Sequence, residues 1–148
     1  MEHPLSQFKY CPKCGSAHFE VHNEKSKQCA DCGFVYYFNP SSATVALILN
    51  ERDELLVCRR AKEPAKGTLD LPGGFIDMTE TGEEGVAREV REETGMKVAK
   101  AEYLFSLPNI YIYSGFPYTR WICFSVVRWR TPCTSRRWTT RQTSSSSP

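Results

Sequence analysis

Between Gly74 and Met96 the chain reads GFIDMTETGEEGVAREVREETGM, and this stretch narrows the range of folds more than any other. Thr81 with Glu84 matches a capping box, Thr79 is a second cap candidate, and Gly95 is placed to end a helix. A helix of roughly three turns is expected between them. Val86, Ala87 and Val90 form its apolar side. Glu89, Glu92 and Glu93 stand at i, i+3 and i+4, so their carboxylates share one face. Like charges so placed repel, and a divalent cation relieves the repulsion; oxygen ligands of this kind suit Mg²⁺ or Mn²⁺. A solvated acidic face is the ordinary reading of an ExxEE run. Here the preceding Leu71-Pro72-Gly73-Gly74 turn, with Glu80 and Arg88, favours the cation. The glycines let backbone approach a metal or phosphate closely, and Arg88 is expected to orient a carboxylate through a bidentate contact.

Gly74, Glu80, Arg88, Glu89, Val90, Glu92, Glu93, Gly95 and Met96 together resemble the Nudix box, G-x5-E-x7-R-E-U-x-E-E-x-G-U with U a bulky aliphatic residue, and all nine specified positions are met. The resemblance covers roughly Ala43 to Tyr118. It implies an α/β/α sandwich around a mixed sheet, within the α+β or α/β class. The activity it implies is metal-dependent hydrolysis of a phosphoanhydride in a nucleoside diphosphate linked to another moiety. By motif position, Glu89 and Glu93 are implied metal ligands, Glu92 a ligand or activator of water, and the Gly74 carbonyl a further ligand. Glu80 and Arg88 complete the implied catalytic set. Gly73 and Gly74 are substrate-binding candidates, as are Arg59 and Arg60. The two arginines alternate sides of a strand, so at most one faces the site, and a surface ion pair is the competing role.

Ahead of this region stand Cys11-Pro12-Lys13-Cys14-Gly15 and Cys29-Ala30-Asp31-Cys32-Gly33. Two CxxCG knuckles so separated look like a zinc ribbon, with Cys11, Cys14, Cys29 and Cys32 closing a tetrahedral Zn²⁺ site that leaves no position for substrate. A redox role for CxxC lacks the βαβ setting such motifs use. Residues 1–10 read as a frayed polar lead, 1–38 as the ribbon with that lead, 39–42 as a linker, and 43–118 as a partial Nudix domain. A ribbon ahead of a Nudix domain is similar in layout to the NADH pyrophosphatases. Their further SQPWPFP array is absent; Leu107-Pro108-Asn109-Ile110-Tyr111 stands after the box. ADP-ribose, another dinucleotide and a sugar nucleotide remain open as substrates. A nucleotide-sensing or RNA- or protein-binding module is the alternative from another class, and an inactive truncated product a third reading.

Phe34–Phe38 reads as the last ribbon strand, and Ala43–Leu49 as a strand covered on both faces. That strand turns at Asn50–Asp53 into a hairpin partner, Glu54–Arg60, where Cys58 reads as core. Ala61–Thr68 reads as a flexible loop. Val98–Leu107 and Ile110–Tyr113 are expected as separate strands around Pro108-Asn109, with Tyr111, Tyr113 and Phe116 as candidates for lining a base pocket.

The net charge of +2 conceals two regions: residues 1–118 carry a balance of −4, and 119–148 carry six arginines and no acidic residue. The basicity therefore does not indicate nucleic acid, although the ribbon leaves that route open. From Thr119 the chain reads as a disordered or frame-slipped tail. A one-base slip across Arg120-Trp121-Ile122-Cys123 forces an aspartate between apolar residues, and the same slip at Arg137-Trp138-Thr139 forces an apolar residue before an aspartate. Arg120–Trp129 is then expected at most along the sheet edge, and the fold incomplete at its C-terminal end. The seven cysteines fit a reducing compartment. With no long apolar run, the expected location is the cytoplasm, without a membrane partner. A small nucleotide diphosphate is the implied partner, and a homodimer is left open.

Overall fold

The apolar run at the start of the larger unit forms strand β4 (Ser41–Ile48), around which a sheet is built. Ala43, Thr44, Ala46 and Ile48 are buried and Val45 and Leu47 half-buried, the pattern of a strand covered on both faces. The computed structural model describes residues 2–60, 65–113, 115–129 and 142–143. Three strands precede β4: β1 (Phe19–Asn23), β2 (Ser26–Cys29) and β3 (Val35–Tyr37). After it come β5 (Cys58–Arg60), β6 (Leu69–Asp70), β7 (Gly73–Phe75), helix α1 (Gly82–Thr94), β8 (Val98–Tyr113), β9 (Phe116–Trp129) and β10 (Gln142–Thr143). The strands form sheets of order β1-β2-β3, β10-β5-β6 and β7-β4-β9-β8.

The last of these is mixed. β4 pairs antiparallel with β7, matching Thr44 to Gly74, and parallel with β9 from Ser41 opposite Arg120 to Ile48 opposite Val127. Helix α1 packs Val86 and Val90 against Ala46, Ile48 and Val127, and these five residues are the buried core of the larger unit. Burying Ile48 and each of the three valines is worth about 1.5–3 kcal/mol. The mixed sheet and the α+β class are as expected; of the helical layers of the implied α/β/α sandwich, the described residues supply one helix, α1.

The structure forms two compact units, Met1–Pro40 with Ile110–Thr119, and Ser41–Asn109 with Arg120–Pro148. In the smaller unit the expected fraying does not occur over the described residues 2–10. Leu5 is fully buried, His3 Nε2 lies 2.8 Å from the Asn23 carbonyl, and the Phe8 carbonyl accepts from Lys27 Nζ at 2.8 Å. Phe8, Phe38 and Tyr118 surround Phe116 at 4.9–5.5 Å between ring centroids. Phe116 thus belongs to an aromatic core rather than lining a pocket.

Four further differences have physical reasons. Ser41 and Ser42, expected in the linker, are the first residues of β4, because the pairing with β9 extends to both. The hairpin after β4 is short: the chain turns at Asn50–Asp53, Leu49 bridges Leu55, and Leu56 N–H donates to the Ile48 carbonyl at 2.9 Å. Beyond that, Cys58–Arg60 joins a different sheet. Strand β8 continues through Pro108, which the outermost position tolerates because the missing donor can face away from the ladder. Thr119–Trp129, expected as tail or edge, lies within β9, an interior strand where Ser125 and Val127 are 2% and 3% exposed. Gln142 and Thr143 pair with Arg59 and Arg60. The remainder of the expected tail, 130–141 and 144–148, lies outside the described residues, as do Ala61–Pro64 of the expected loop. No helix among the described residues is long and apolar enough to cross a membrane.

Truncating Ile48 to alanine should cost about 2–5 kcal/mol in a denaturant titration, and Ile48→Val about 0.5–1.5 kcal/mol. Met78, wholly exposed, should tolerate alanine within about 0.5 kcal/mol. Equal effects at the two sites would contradict this core.

Candidate active site and metal-ligand clusters

Thr81 starts α1 as expected. Its hydroxyl accepts from Glu84 N–H at 3.2 Å, while the Glu84 carboxylate accepts from Thr81 N–H at 2.8 Å. Gly95 ends the helix with φ 73°, its N–H donating to the Arg91 carbonyl. The rotation fixed by these caps and by buried Val86 and Val90 carries Arg88, Glu89 and Glu93 toward β7 and the turn before it.

Arg88 is the centre of this arrangement. Its Nε donates to Glu80 Oε1 at 2.8 Å and one terminal nitrogen to Glu80 Oε2 at 3.0 Å, the expected bidentate contact. That nitrogen also donates to the Phe75 carbonyl at 2.9 Å. The other donates to Glu89 Oε1 at 2.8 Å and, longer, to Glu92 Oε2 at 3.4 Å. Arg88 holds the Glu80 carboxyl below its usual range. In return Glu80 first, then Glu89, hold the guanidinium above its own. Asp77, which the sequence did not single out, joins through its N–H to Glu80 Oε2 at 3.1 Å and its carboxylate 3.6 Å from Arg88 Nε.

Glu89 and Glu93 meet the glycine turn from the helix side. A side chain on Gly74 would put Cβ 2.5–2.8 Å from the Glu89 carboxylate, and one on Gly73 would put it 2.2 Å from the Thr44 carbonyl oxygen. Gly73 has no room for a Cβ against the β4 backbone, and a Cβ at Gly74 would displace the Glu89 carboxylate. Gly73 N–H donates to Glu93 Oε2 at 3.2 Å. Burial pushes the Glu93 carboxyl up to about 7; Gly73 N–H opposes this, Glu89 and Asp70 add to it, and Arg60 opposes it. Glu92 stands apart, half exposed and turned toward Arg88. The structure therefore brings Glu89, Glu93, Gly73 and Gly74 together, ties Glu80 and Glu92 to Arg88, and does not draw the three helix carboxylates to one point. As a donor set, two partly buried carboxylates beside an exposed third suit a hard divalent cation.

Arg59 and Arg60 point to different partners, as their alternation requires. Arg59 donates to the Gly67 carbonyl at 2.6 Å, and Arg60 to Asp70 Oδ2 at 3.0 Å. Cys58 between β4 and this pair is buried, and burial pushes its thiol up to about 11, with Glu93 and Asp70 adding to the effect.

In the smaller unit, the sulfurs of Cys11, Cys14, Cys29 and Cys32 all lie within 4.8 Å of one another, the one cluster of metal-ligating atoms so close among the described residues. Cys11 and Cys32 are 3.7 Å apart, Cys14 and Cys29 3.6 Å. Tetrahedral thiolates at about 2.3 Å from zinc stand about 3.8 Å apart, so the cluster fits that ion. The knuckles are near copies: Gly15 and Gly33 N–H donate to Cys11 and Cys29 carbonyls at 2.8 and 2.9 Å, with φ 77° and 70°. The Cys32 and Asp31 backbones and neighbouring thiols hold the Cys29 thiol below its usual range.

Comparison with known proteins agrees with the geometry. Residues 39–141 match the NUDIX domain family. The chain is 31% identical over 106 residues to a protein of Vibrio atlanticus named NAD-capped RNA hydrolase NudC, and 34% identical over 100 residues to one of that name from Shigella flexneri. These matches cover 72% and 68% of this chain but 39% and 38% of the relatives, so the chain spans about two fifths of their length. A crystal structure of a NUDIX hydrolase from Nitrosomonas europaea shares the fold, with TM-score 0.56 over 81% of this chain and 68% of that one at 24% identity. A MutT NUDIX hydrolase from Burkholderia pseudomallei gives 0.52 over 63% and 70% at 26% identity. With a family match over more than half its length and an intact box, the chain belongs to the Nudix family.

Proposed function

We propose that the protein hydrolyses a phosphoanhydride bond in a nucleoside diphosphate linked to a second moiety, with Mg²⁺ or Mn²⁺ as cofactor. The observation that carries this is the convergence of Glu89 and Glu93 on the Gly73-Gly74 turn while Arg88 fixes the surrounding carboxylates. Glu89, Glu93 and the Gly74 carbonyl would hold the cation, with Glu92 a further ligand. A bound cation would neutralise charge developing on the phosphoryl oxygens. The chain's own part is positioning. Gly73 N–H aims one carboxylate, Arg88 aims another, and exposed Glu92 is open to accept a proton from water. Exposed Arg59 and the glycine backbone are the proposed contacts for a substrate phosphate. Relatives named as NAD-capped RNA hydrolases make a dinucleotide-ended substrate one to try beside ADP-ribose and sugar nucleotides.

The four cysteines would hold Zn²⁺ as a structural ion, since four thiolates leave no open position. All four must ionise for that, which a dication permits and four unpaired thiols do not.

In a screen of such substrates, Glu93→Gln should lower turnover by at least about 10- to 100-fold, because removing a direct ligand should cost no less than removing an outer partner. Far-ultraviolet circular dichroism should be unchanged. Equal turnover by the variant, or by wild type in EDTA, would refute the reaction. Elemental analysis should find about one zinc per chain, reduced by Cys14→Ser. A zinc-free chain with a protected ribbon in hydrogen exchange would refute the structural ion.

A further inference from the structure

The two cysteine knuckles share a backbone course and differ in side chains. Cys11 N–H donates to the Ser16 carbonyl at 2.8 Å and Cys29 N–H to the Phe34 carbonyl at 2.9 Å, so each knuckle closes the same loop. The residue before the second cysteine is Lys13 in one and Asp31 in the other.

Asp31 reaches across to the segment that leaves the first knuckle. Its Oδ2 accepts from the Ser16 hydroxyl, and both its oxygens lie 3.1 Å from His18 Nδ1. Ser16 Oγ in turn accepts from His18 N–H at 2.9 Å, and the His18 carbonyl accepts from Ala30 N–H at 2.9 Å. Residues 16–18 lead directly into β1, where Phe19 pairs with Cys29 and is buried with it and Cys11. A single ion pair between exposed side chains contributes little. Here the contacts form one network, and hydrogen bonds that share members support one another.

We propose that Asp31 is a positioning residue that latches the two knuckles together through Ser16 and His18, holding the four sulfurs where one zinc ion can bond them all. This rests on the zinc reading above and gives a role to residues outside the four ligands. Segments already held in place lose less freedom when the ion binds. Charge acts in the opposite sense. Thiols that exchange their protons for one dication become more negative as a group, so by charge alone a nearby carboxylate opposes loading. Removing Asp31 therefore tightens metal binding if charge decides and weakens it if the latch decides.

The test uses the full, reduced chain loaded with Co²⁺, with nitrilotriacetate competing for the ion. The thiolate-to-cobalt charge-transfer band reports the cysteine site alone. Asp31→Ala should weaken Co²⁺ binding by about tenfold, the cost typical of losing an outer partner. Its band at saturation should keep full intensity, because all four sulfurs still bond the ion. Ser16→Ala should weaken binding by less, and keeps the idea testable where Asp31→Ala fails to load. Adding Ser16→Ala to Asp31→Ala should cost less than about twofold more, since the two residues act as one latch. Lys13→Ala, at the matching place in the other knuckle, should stay within about twofold of wild type. Equal or tighter binding in Asp31→Ala, unchanged binding in Ser16→Ala, a weakened band at saturation, additive losses in the double variant, or a tenfold loss in Lys13→Ala would each overturn the proposal. Wild type without the band would refute the cysteine metal site and the latch together. Wild type with the band and an unaffected Asp31→Ala would refute the latch alone.

Discussion

The candidate site depends on the way one guanidinium is saturated. Arg88 has five N–H donors, and five acceptor contacts meet them: two oxygens of Glu80, one each of Glu89 and Glu92, and the Phe75 carbonyl. Only a planar fork can serve that many acceptors on two sides at once, so lysine is no substitute. Its effect is to join three elements: the helix that carries it, the loop that carries Glu80, and strand β7. The acidic face that would destabilise an isolated helix is thereby tied down. Removing the guanidinium would leave several partly buried carboxylates uncompensated, which is far costlier than losing a surface ion pair.

Backbone shape supplies what side chains cannot. Gly73 lies so close to the Thr44 backbone that a β-carbon has no space, and one at Gly74 would push the Glu89 carboxylate out of place. The helix approaches β7 to within carboxylate-to-backbone distance for that reason. The close approach lets one peptide N–H fix Glu93 and leaves the neighbouring carbonyl as a candidate oxygen ligand. In the ribbon the same economy recurs, where left-handed Gly15 and Gly33 turn two short loops so that four sulfurs face one another.

Much of this was legible because it follows from local rules. The cap at Thr81, the stop at Gly95 and the fork of Arg88 depend on residues a few positions apart, and the cysteine knuckles announce themselves by spacing. What was missed depends on distant partners. Leu5 is unremarkable in a polar lead, and its burial follows from packing within the smaller unit. The residues from Thr119 looked unselected because acidic groups and lysine vanish there. Yet Ile122, Phe124 and Val126 alternate well enough for β9 to pair with β4 over eight positions. Charge composition was the wrong guide to an interior strand, whose pairing is made by backbone. Pro108 misled in the other direction, since a break is expected of proline only where its neighbours need its N–H. Asp70 left a fainter signal: an acidic residue just before a Leu-Pro-Gly-Gly turn can accept from the next N–H, as it does.

The central claim is that the box residues form a cation site at the glycine turn. Crystals soaked in Mn²⁺ and measured at the manganese absorption edge test it most directly, because the anomalous signal locates the ion without reference to activity. The account predicts a peak bonded to Glu89 and Glu93 carboxylate oxygens and to the Gly74 carbonyl, with Arg88 still clasping Glu80. A peak elsewhere on the acidic surface, or none at saturating Mn²⁺, would contradict it.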